Sequence, residues 1–195
     1  MMRYPSSILL SLAFLIQTAI CAAQSHKLTI IPESSILIKG NSNVNKFIFT
    51  YDQVIKPLSS TIKIEQHKNI IYLKNAVITM DVAAFHSGNR LMDRDYQHMM
   101  NYKTYPYISI ELHQIKPISE DNENLLAIMS LSIAGEKRLD TLNFSYNKSK
   151  DIYRCNTTHQ LSLKDYKIKP LKKMMGLISL KDLLVIEIIL YLKVD

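Results

Sequence analysis

The chain is 195 residues long, with 47% apolar and 21% charged residues. That globular composition excludes a disordered chain and leaves room for one domain around one core. It carries 24 Lys and Arg against 17 Asp and Glu, a formal charge of +7, yet only 5 of the basic residues are Arg. Arg supplies the planar fork that grips phosphates and base edges, so this balance argues against a nucleic-acid partner. A basic surface facing a membrane is the alternative meaning of the charge.

Residues 1–23 hold Arg3 as their only charge, then an apolar run over 8–16, then Cys21, Ala22 and Ala23. This order predicts a secretory signal peptide cut near Ala23, and a periplasmic or secreted domain over 24–195. The apolar run is shorter than the roughly 20 residues that a spanning helix needs. Lipoprotein processing at Cys21 is disfavoured, because Ile20 before it is large. After the cut, Cys155 stands alone, without an internal disulfide, and reads as a small buried residue rather than a nucleophile.

Beyond residue 24, period-2 alternation dominates. Strands are predicted over 35–39, 46–52, 61–66, 70–74, 76–82, 107–116, 124–134, 141–146, 152–163 and 183–193. Turn signals part them at Gly40-Asn41-Ser42, Lys68-Asn69, residues 119–122, Gly135-Glu136-Lys137 and residues 147–150. Ile108, Ile110 and Leu112 share one face of their strand, and Leu184, Ile186, Ile188, Leu190 and Leu192 share one face of the last. Many antiparallel strands at short spacing predict an all-β sandwich or barrel, and periodicity does not choose between the two.

Residues 88–101 break the pattern. Met92, Tyr96, Met99 and Met100 follow the i, i+4, i+7, i+8 spacing of a helix with one apolar face. Ser87 or Asn89 can cap its start, and Tyr105-Pro106 leads into the next strand. His86, Asp93, Asp95 and His98 lie close in sequence but match no metal-ligand spacing, and Asp93-Arg94-Asp95 reads as a solvated, salt-bridged face. There is no G-x-S-x-G elbow and no glycine-rich phosphate loop. A non-catalytic protein without cofactor or metal is the expectation.

Four stretches, in order, resemble the YceI-like family: SILIKGNSNVNKFIFTY (35–51), the block ending GNRLMDRDYQHMMNYKTYPYISI (82–110), the strand–Gly135–strand segment over 131–144, and LSLKDYKIKP leading to the last strand (161–192). The resemblance implies a lipocalin-like antiparallel β-barrel with an elongated apolar cavity, no catalytic set, and a polyisoprenoid or isoprenoid quinone as ligand. The chain departs from the family in lacking Trp and in placing Asn where glycine is usual.

An eight-stranded barrel has room for one small ligand. The lining candidates are Phe47, Phe49, Ile62, Ile64, Met80, Phe85, Met92, Tyr96, Met99, Ile110, Leu112, Met129, Leu142, Phe144, Ile186, Ile188 and Leu190. Methionines repack cheaply around an irregular chain, and the methionine face of the helix is a candidate lid over the mouth. Residues 164–182 hold six Lys and two Asp, a surplus of four positive charges that suits brief contact with an anionic leaflet. The same apolar residues also suit a filled barrel, a structural or interaction module with no ligand. A third reading makes the methionines sacrificial oxidant sinks.

Overall fold

The computed structural model describes residues 24–118, 124–173 and 178–195. The expected signal peptide, the turn at 119–122 and Met175-Gly176 lie outside the described residues. In chain order the elements are β1 (Gln24–Ile30), β2 (Ser35–Asn41), β3 (Lys46–Tyr51), β4 (Lys56–Pro57), β5 (Thr61–His67), β6 (Ile70–Asp81), β7 (Phe85–His86), α1 (Arg90–Met99), β8 (Tyr107–Pro117), β9 (Asn124–Ile133), β10 (Glu136–Ser149), β11 (Ile152–Ser162), β12 (Lys172–Lys173), β13 (Ile178–Ser179) and β14 (Leu183–Val194). Short 3-10 turns follow β6 at Val82–Ala84 and β11 at Leu163–Tyr166.

Eight strands form a ring in the order β1-β5-β6-β8-β9-β10-β11-β14, with β14 returning to β1. All the pairings around the ring are antiparallel. The open choice between barrel and sandwich therefore resolves to a barrel. Alternation does the sorting: β2 buries Ile36, Ile38 and Gly40 and turns Leu37 and Lys39 partly outward. Where the sequence pattern slips, a bulge restores it. On β8 the register with β9 jumps between Leu112 and Gln114, so Ile115 joins Ile108, Ile110 and Leu112 in facing the interior.

One edge of β14 serves two partners. Ile30 pairs with Leu192 near its C-terminal end, and Ile36 pairs with Ile188 further back. β1 and β2 thus run as one strand interrupted at residues 31–34, where Tyr191 N donates to Ser34 Oγ at 2.9 Å and Ile31 N donates to the Tyr191 carbonyl at 2.8 Å. At one end the ring closes through β1 and β5. β2, β3 and the short β7 continue from β14 as a branch that ends at β7, where Thr50 faces His86 and Tyr51 faces Phe85.

The expected helix is present but shorter, Arg90–Met99. Asn89 caps it: its Oδ1 accepts from Leu91 N at 2.9 Å and Met92 N at 3.2 Å. It ends on left-handed Asn101 (φ 51°), with Tyr102 N donating back to the Gln97 carbonyl at 2.9 Å. Tyr96 and Met100 are buried, and Met92 and Met99 pack against the same core.

Three expectations need correction. The separate strands at 70–74 and 76–82 are one strand, β6, whose register with β8 shifts between Tyr72 and Ala76 around left-handed Asn75 (φ 64°). The Gly135 turn sits one residue earlier, on Ala134 (φ 48°) and Gly135 (φ 86°), the paired left-handed conformation that a two-residue hairpin needs. Asp93 is not on a solvated face. Its side chain is 13% exposed and accepts from Ser87 N at 2.8 Å and Ser87 Oγ at 2.6 Å.

Candidate functional site

The helix end of the barrel carries a groove of about 340 Å³. Phe47 and Phe49 from β3, Met92, Tyr96 and Met99 from α1, and Leu171, Leu180 and Leu184 form most of its wall. Ser42, Asn45, Asn89 and Asp95 supply its polar side, and Val44 and Leu91 are largely exposed there. Below it lies a smaller cavity of about 60 Å³ inside the barrel, lined by sixteen apolar or aromatic residues. The two spaces share Ile38, Tyr96 and Leu184, so a single layer of side chains divides them.

The place of Phe47 in the groove wall depends on Gly40 having no side chain. β2 and β3 pair Gly40 with Phe47, and the Phe47 ring folds across the strand into the place a Cβ would take. From there Phe47 packs edge-on against Phe49, with ring centroids 5.8 Å apart. Phe49 lies 4.7 Å from Tyr96, and Phe85 lies 6.0 Å from Tyr96 on another side. These aromatic contacts fix the floor of the groove.

Tyr96 is the unusual member. It is 5% exposed, and its Oη has no hydrogen-bond partner among the described residues. Burial raises its pKa far above the ordinary tyrosine value. Buried hydroxyls are nearly always partnered, and this one is enclosed by packed side chains instead.

The expected lining residues divide into three groups. Phe47, Phe49, Met92, Tyr96 and Met99 meet at the groove. Met80, Phe85, Ile110, Ile186 and Ile188 line the inner cavity, together with Tyr96. Ile62, Ile64, Leu112, Met129, Leu142, Phe144 and Leu190 line neither space. Met129, Leu142 and Ala127 are buried as a compact cluster against Leu112, Ile115 and Phe144. Leu190 packs against the main core, and Ile62 is buried.

Several lining residues lie outside the expected set. Ile36 and Ile38 lie on a strand predicted from its alternation, and Leu131, Ile133 and Leu161 continue the inward faces of β9 and β11. Their period-2 position is legible in the sequence, but which end of each strand meets open space is not. Leu171 and Leu180 flank β12 and β13 in a stretch with no clear periodicity.

The wall parts between two neighbouring strands. β10 and β11 pair from Ser145↔Asn156 to Ser149↔Ile152 and then separate. Across the parting, Thr157 Oγ1 donates to the Asn143 carbonyl at 2.7 Å and His159 Nε2 lies 2.9 Å from Asp140 Oδ2. A cleft of about 450 Å³ opens beside it, with Asn and Thr side chains along it and the expected lining residues Phe144 and Ile188 in its wall.

Near the helix start, His86 Nδ1 lies 3.1 Å from Asp93 Oδ2 and its Nε2 lies 3.2 Å from Asp52 Oδ2. Burial pushes the Asp93 carboxyl up, but the Ser87 hydrogen bonds and His86 outweigh it and hold its pKa below the usual value. This clasp ties β7 to α1. Among the described residues, no group of three His, Cys, Asp or Glu side chains is placed to hold a metal ion. Cys155 is partly buried, and burial pushes its thiol up to about 11, far from the activated range. Among the described residues, no helix is long and apolar enough to cross a membrane.

Comparison with solved structures places the fold. BcnA from Burkholderia cenocepacia superposes with a TM-score of 0.67 at 14% identity, covering 84% of this chain and 99% of that one. A polyisoprenoid-binding domain from Saccharophagus degradans, implicated in plant cell wall breakdown, matches with a TM-score of 0.58 at 11% identity, over 87% of this chain and 98% of that one. A mutant of the Campylobacter jejuni YceI protein matches with a TM-score of 0.50 at 18% identity, over 67% of this chain and 78% of that one. No protein-family model matches the sequence, and comparison with curated proteins finds no match. The chain therefore has the fold of YceI structures, as the four sequence stretches implied.

Proposed function

We propose that the chain is an exported, non-catalytic carrier that holds a long apolar lipid, a polyisoprenoid or isoprenoid quinone, in the groove and inner cavity of its barrel. The observation that carries this reading is the groove itself. Its volume of about 340 Å³ lies in the range of small-molecule sites, and aliphatic, aromatic and methionine side chains make up most of its wall. The shared fold with a polyisoprenoid-binding domain supports the same ligand class. The order of residues 1–23 supports export.

The energetics favour a carrier over a tight scavenger. Each buried CH₂ is worth about 0.8 kcal/mol against water, but a membrane offers the same gain. The protein therefore exchanges lipid near balance with a bilayer. Val44 and Leu91, exposed at the groove, offer apolar contact with a membrane surface during that exchange. The buried cluster around Met129 favours the rival reading, a packed module, for that part of the barrel only.

The test is to express the full chain in a bacterial host, purify it without detergent, and identify bound lipid by native mass spectrometry and solvent extraction. A stoichiometric prenyl lipid is expected. An empty protein that also fails to bind added decylubiquinone, farnesyl phosphate or squalane overturns the proposal.

A further inference from the structure

We propose that the groove end of the barrel docks on an anionic lipid bilayer, with Val44 and Leu91 set into its surface and Lys46, Arg90 and Lys181 against its phosphates. The inference rests on the carrier reading and deepens it to one partner surface and one orientation, the groove facing the membrane.

Two apolar tips mark the face. Val44 is 57% exposed and Leu91 is 61% exposed, and both line the groove. Single apolar residues on a surface are ordinary, but these two rise from different elements, the β2–β3 turn and the first turn of α1, to the rim of one opening. Both are held there. Ser42 Oγ accepts from Val44 N at 3.2 Å and from Asn45 N at 2.9 Å, which pins the turn. Asn89 Oδ1 accepts from Leu91 N at 2.9 Å. A surface that covers the two tips also covers the mouth of the groove, so a lipid passes from one apolar phase to the other without crossing water.

Charge decides which surface fits. Lys46 follows Asn45, Arg90 lies between Asn89 and Leu91, and Lys181 follows Leu180, so each adjoins a residue of the groove wall. Two of them converge, because Lys46 pairs with Asn41 and Lys181 N donates to the Asn41 carbonyl at 2.8 Å. All three are exposed, and none forms an ion pair with another described residue. The neighbouring carboxylates are engaged. Asp93 accepts from Ser87, Asp182 accepts from Ser162 Oγ and Lys164 N, and Asp95 on the groove wall is half-buried and partnered. Unpaired cations around apolar tips complement an anionic leaflet rather than a neutral one.

The opposite end of the barrel supplies the control. Lys27, Lys63 and Lys148 are exposed and lie around the far end of β14, where Lys193 pairs with Thr29 and Ile152. That end is about 30 Å along the strand from Leu184 at the groove, well beyond the screening length of roughly 8–10 Å.

The test sediments the purified protein with vesicles of phosphatidylcholine alone and of equal parts phosphatidylcholine and phosphatidylglycerol. The wild type should bind the mixed vesicles, lose binding as salt rises, and leave the neutral vesicles free. The triple variant Lys46→Glu, Arg90→Glu, Lys181→Glu should bind about a hundredfold more weakly, since each basic residue at an anionic leaflet adds about fivefold. Leu91→Ser should weaken binding about tenfold. The control triple Lys27→Glu, Lys63→Glu, Lys148→Glu makes the same change in net charge and should stay within about fivefold of the wild type. Circular dichroism checks that every variant is folded. Both triples should take up decylubiquinone from solution as the wild type does, because none of these residues lines the groove. Failure of the wild type to sediment with mixed vesicles, equal binding to neutral ones, or equal losses in the two triples overturns the docking while decylubiquinone uptake keeps the carrier reading. A wild type that dimerises instead, with Leu91→Ser restoring the monomer, overturns it in favour of a second copy on this face. A wild type that docks but takes up no lipid overturns the carrier reading alone.

Discussion

Replacing Gly40 with alanine tests how Phe47 is seated in the groove wall. A Cβ at this position would overlap the end of the Phe47 ring and lie 2.8 Å from Leu184 Cδ2. Leu184 sits in a strand whose register with β2 is fixed at Val185↔Lys39, so the ring must give way. Overpacking of this kind costs about 1–3 kcal/mol, and alanine in a strand recovers about 0.5–1 kcal/mol of backbone entropy. The net expectation for Gly40→Ala is a loss of about 1–2 kcal/mol. In a domain of this size that lowers the midpoint of melting by about 3–6 °C. Urea unfolding followed by far-ultraviolet circular dichroism measures it, since the chain has no Trp. The decisive comparison is the double-mutant cycle with Phe47→Leu, because a smaller side chain at 47 leaves room for the new methyl. The two changes together should cost at least about 0.5 kcal/mol less than the sum of the two separately, the lower bound for residues in contact. Additive costs, or a Gly40→Ala protein as stable as the wild type, would refute the claim that the missing Cβ seats Phe47.

Other consequences are as direct. Met129→Ala removes a buried side chain from the cluster with Ala127 and Leu142, away from the groove, so it should cost about 2–5 kcal/mol in urea unfolding while leaving decylubiquinone affinity unchanged. Asp93→Asn should lower stability at pH 6, where Ser87 and His86 are partnered by a carboxylate. Because the folded pKa of Asp93 is depressed, its contribution is fully present above the unfolded carboxyl value near about 3.9 and disappears as pH falls through the lower folded value. The stability curves of the two proteins should therefore converge in acid, as followed by denaturation between pH 6 and pH 2. Cys155, with its thiol raised to about 11, should react with iodoacetamide at pH 8 far more slowly in native protein than in urea, as read by mass spectrometry.

The strands are legible in the sequence wherever one face is buried and the other wet. The existence of β8, β9, β11 and β14 is legible from their apolar periodicity, and on β8 and β14 the expected faces hold Ile108, Leu184 and Ile188, which are buried. The helix is legible for a similar reason, since Met92, Tyr96, Met99 and Met100 turn one side to the core. What escapes is closure. β1 pairs with both β5 and β14 and completes the ring, but His26, Leu28 and Ile30 are too short and mixed an alternation to stand out after the apolar leader. The site is half legible. Periodicity says that Met129 and Ile186 both point inward, but it does not say that one meets packed side chains and the other open space. That difference depends on how strands from distant parts of the chain stack in depth. The role of Gly40 escapes for the same reason: a turn-like glycine proves to be the seat of an aromatic ring.

The interrupted first strand has a mechanical consequence. Releasing β2 from its stretch of β14 (residues 185–189) leaves the pairing of Leu28, Thr29 and Ile30 with residues 192–194 in place. The edge of β14 thus carries two different seams, one to β1 that completes the ring and a looser-ended one to β2 that leads only to β3 and β7. The looser seam includes the two-residue pairing of β3 with β7, reinforced by the His86 clasp. A load on the groove rim therefore falls first on the two-residue joint of β3 with β7, and only then on the eight-stranded ring.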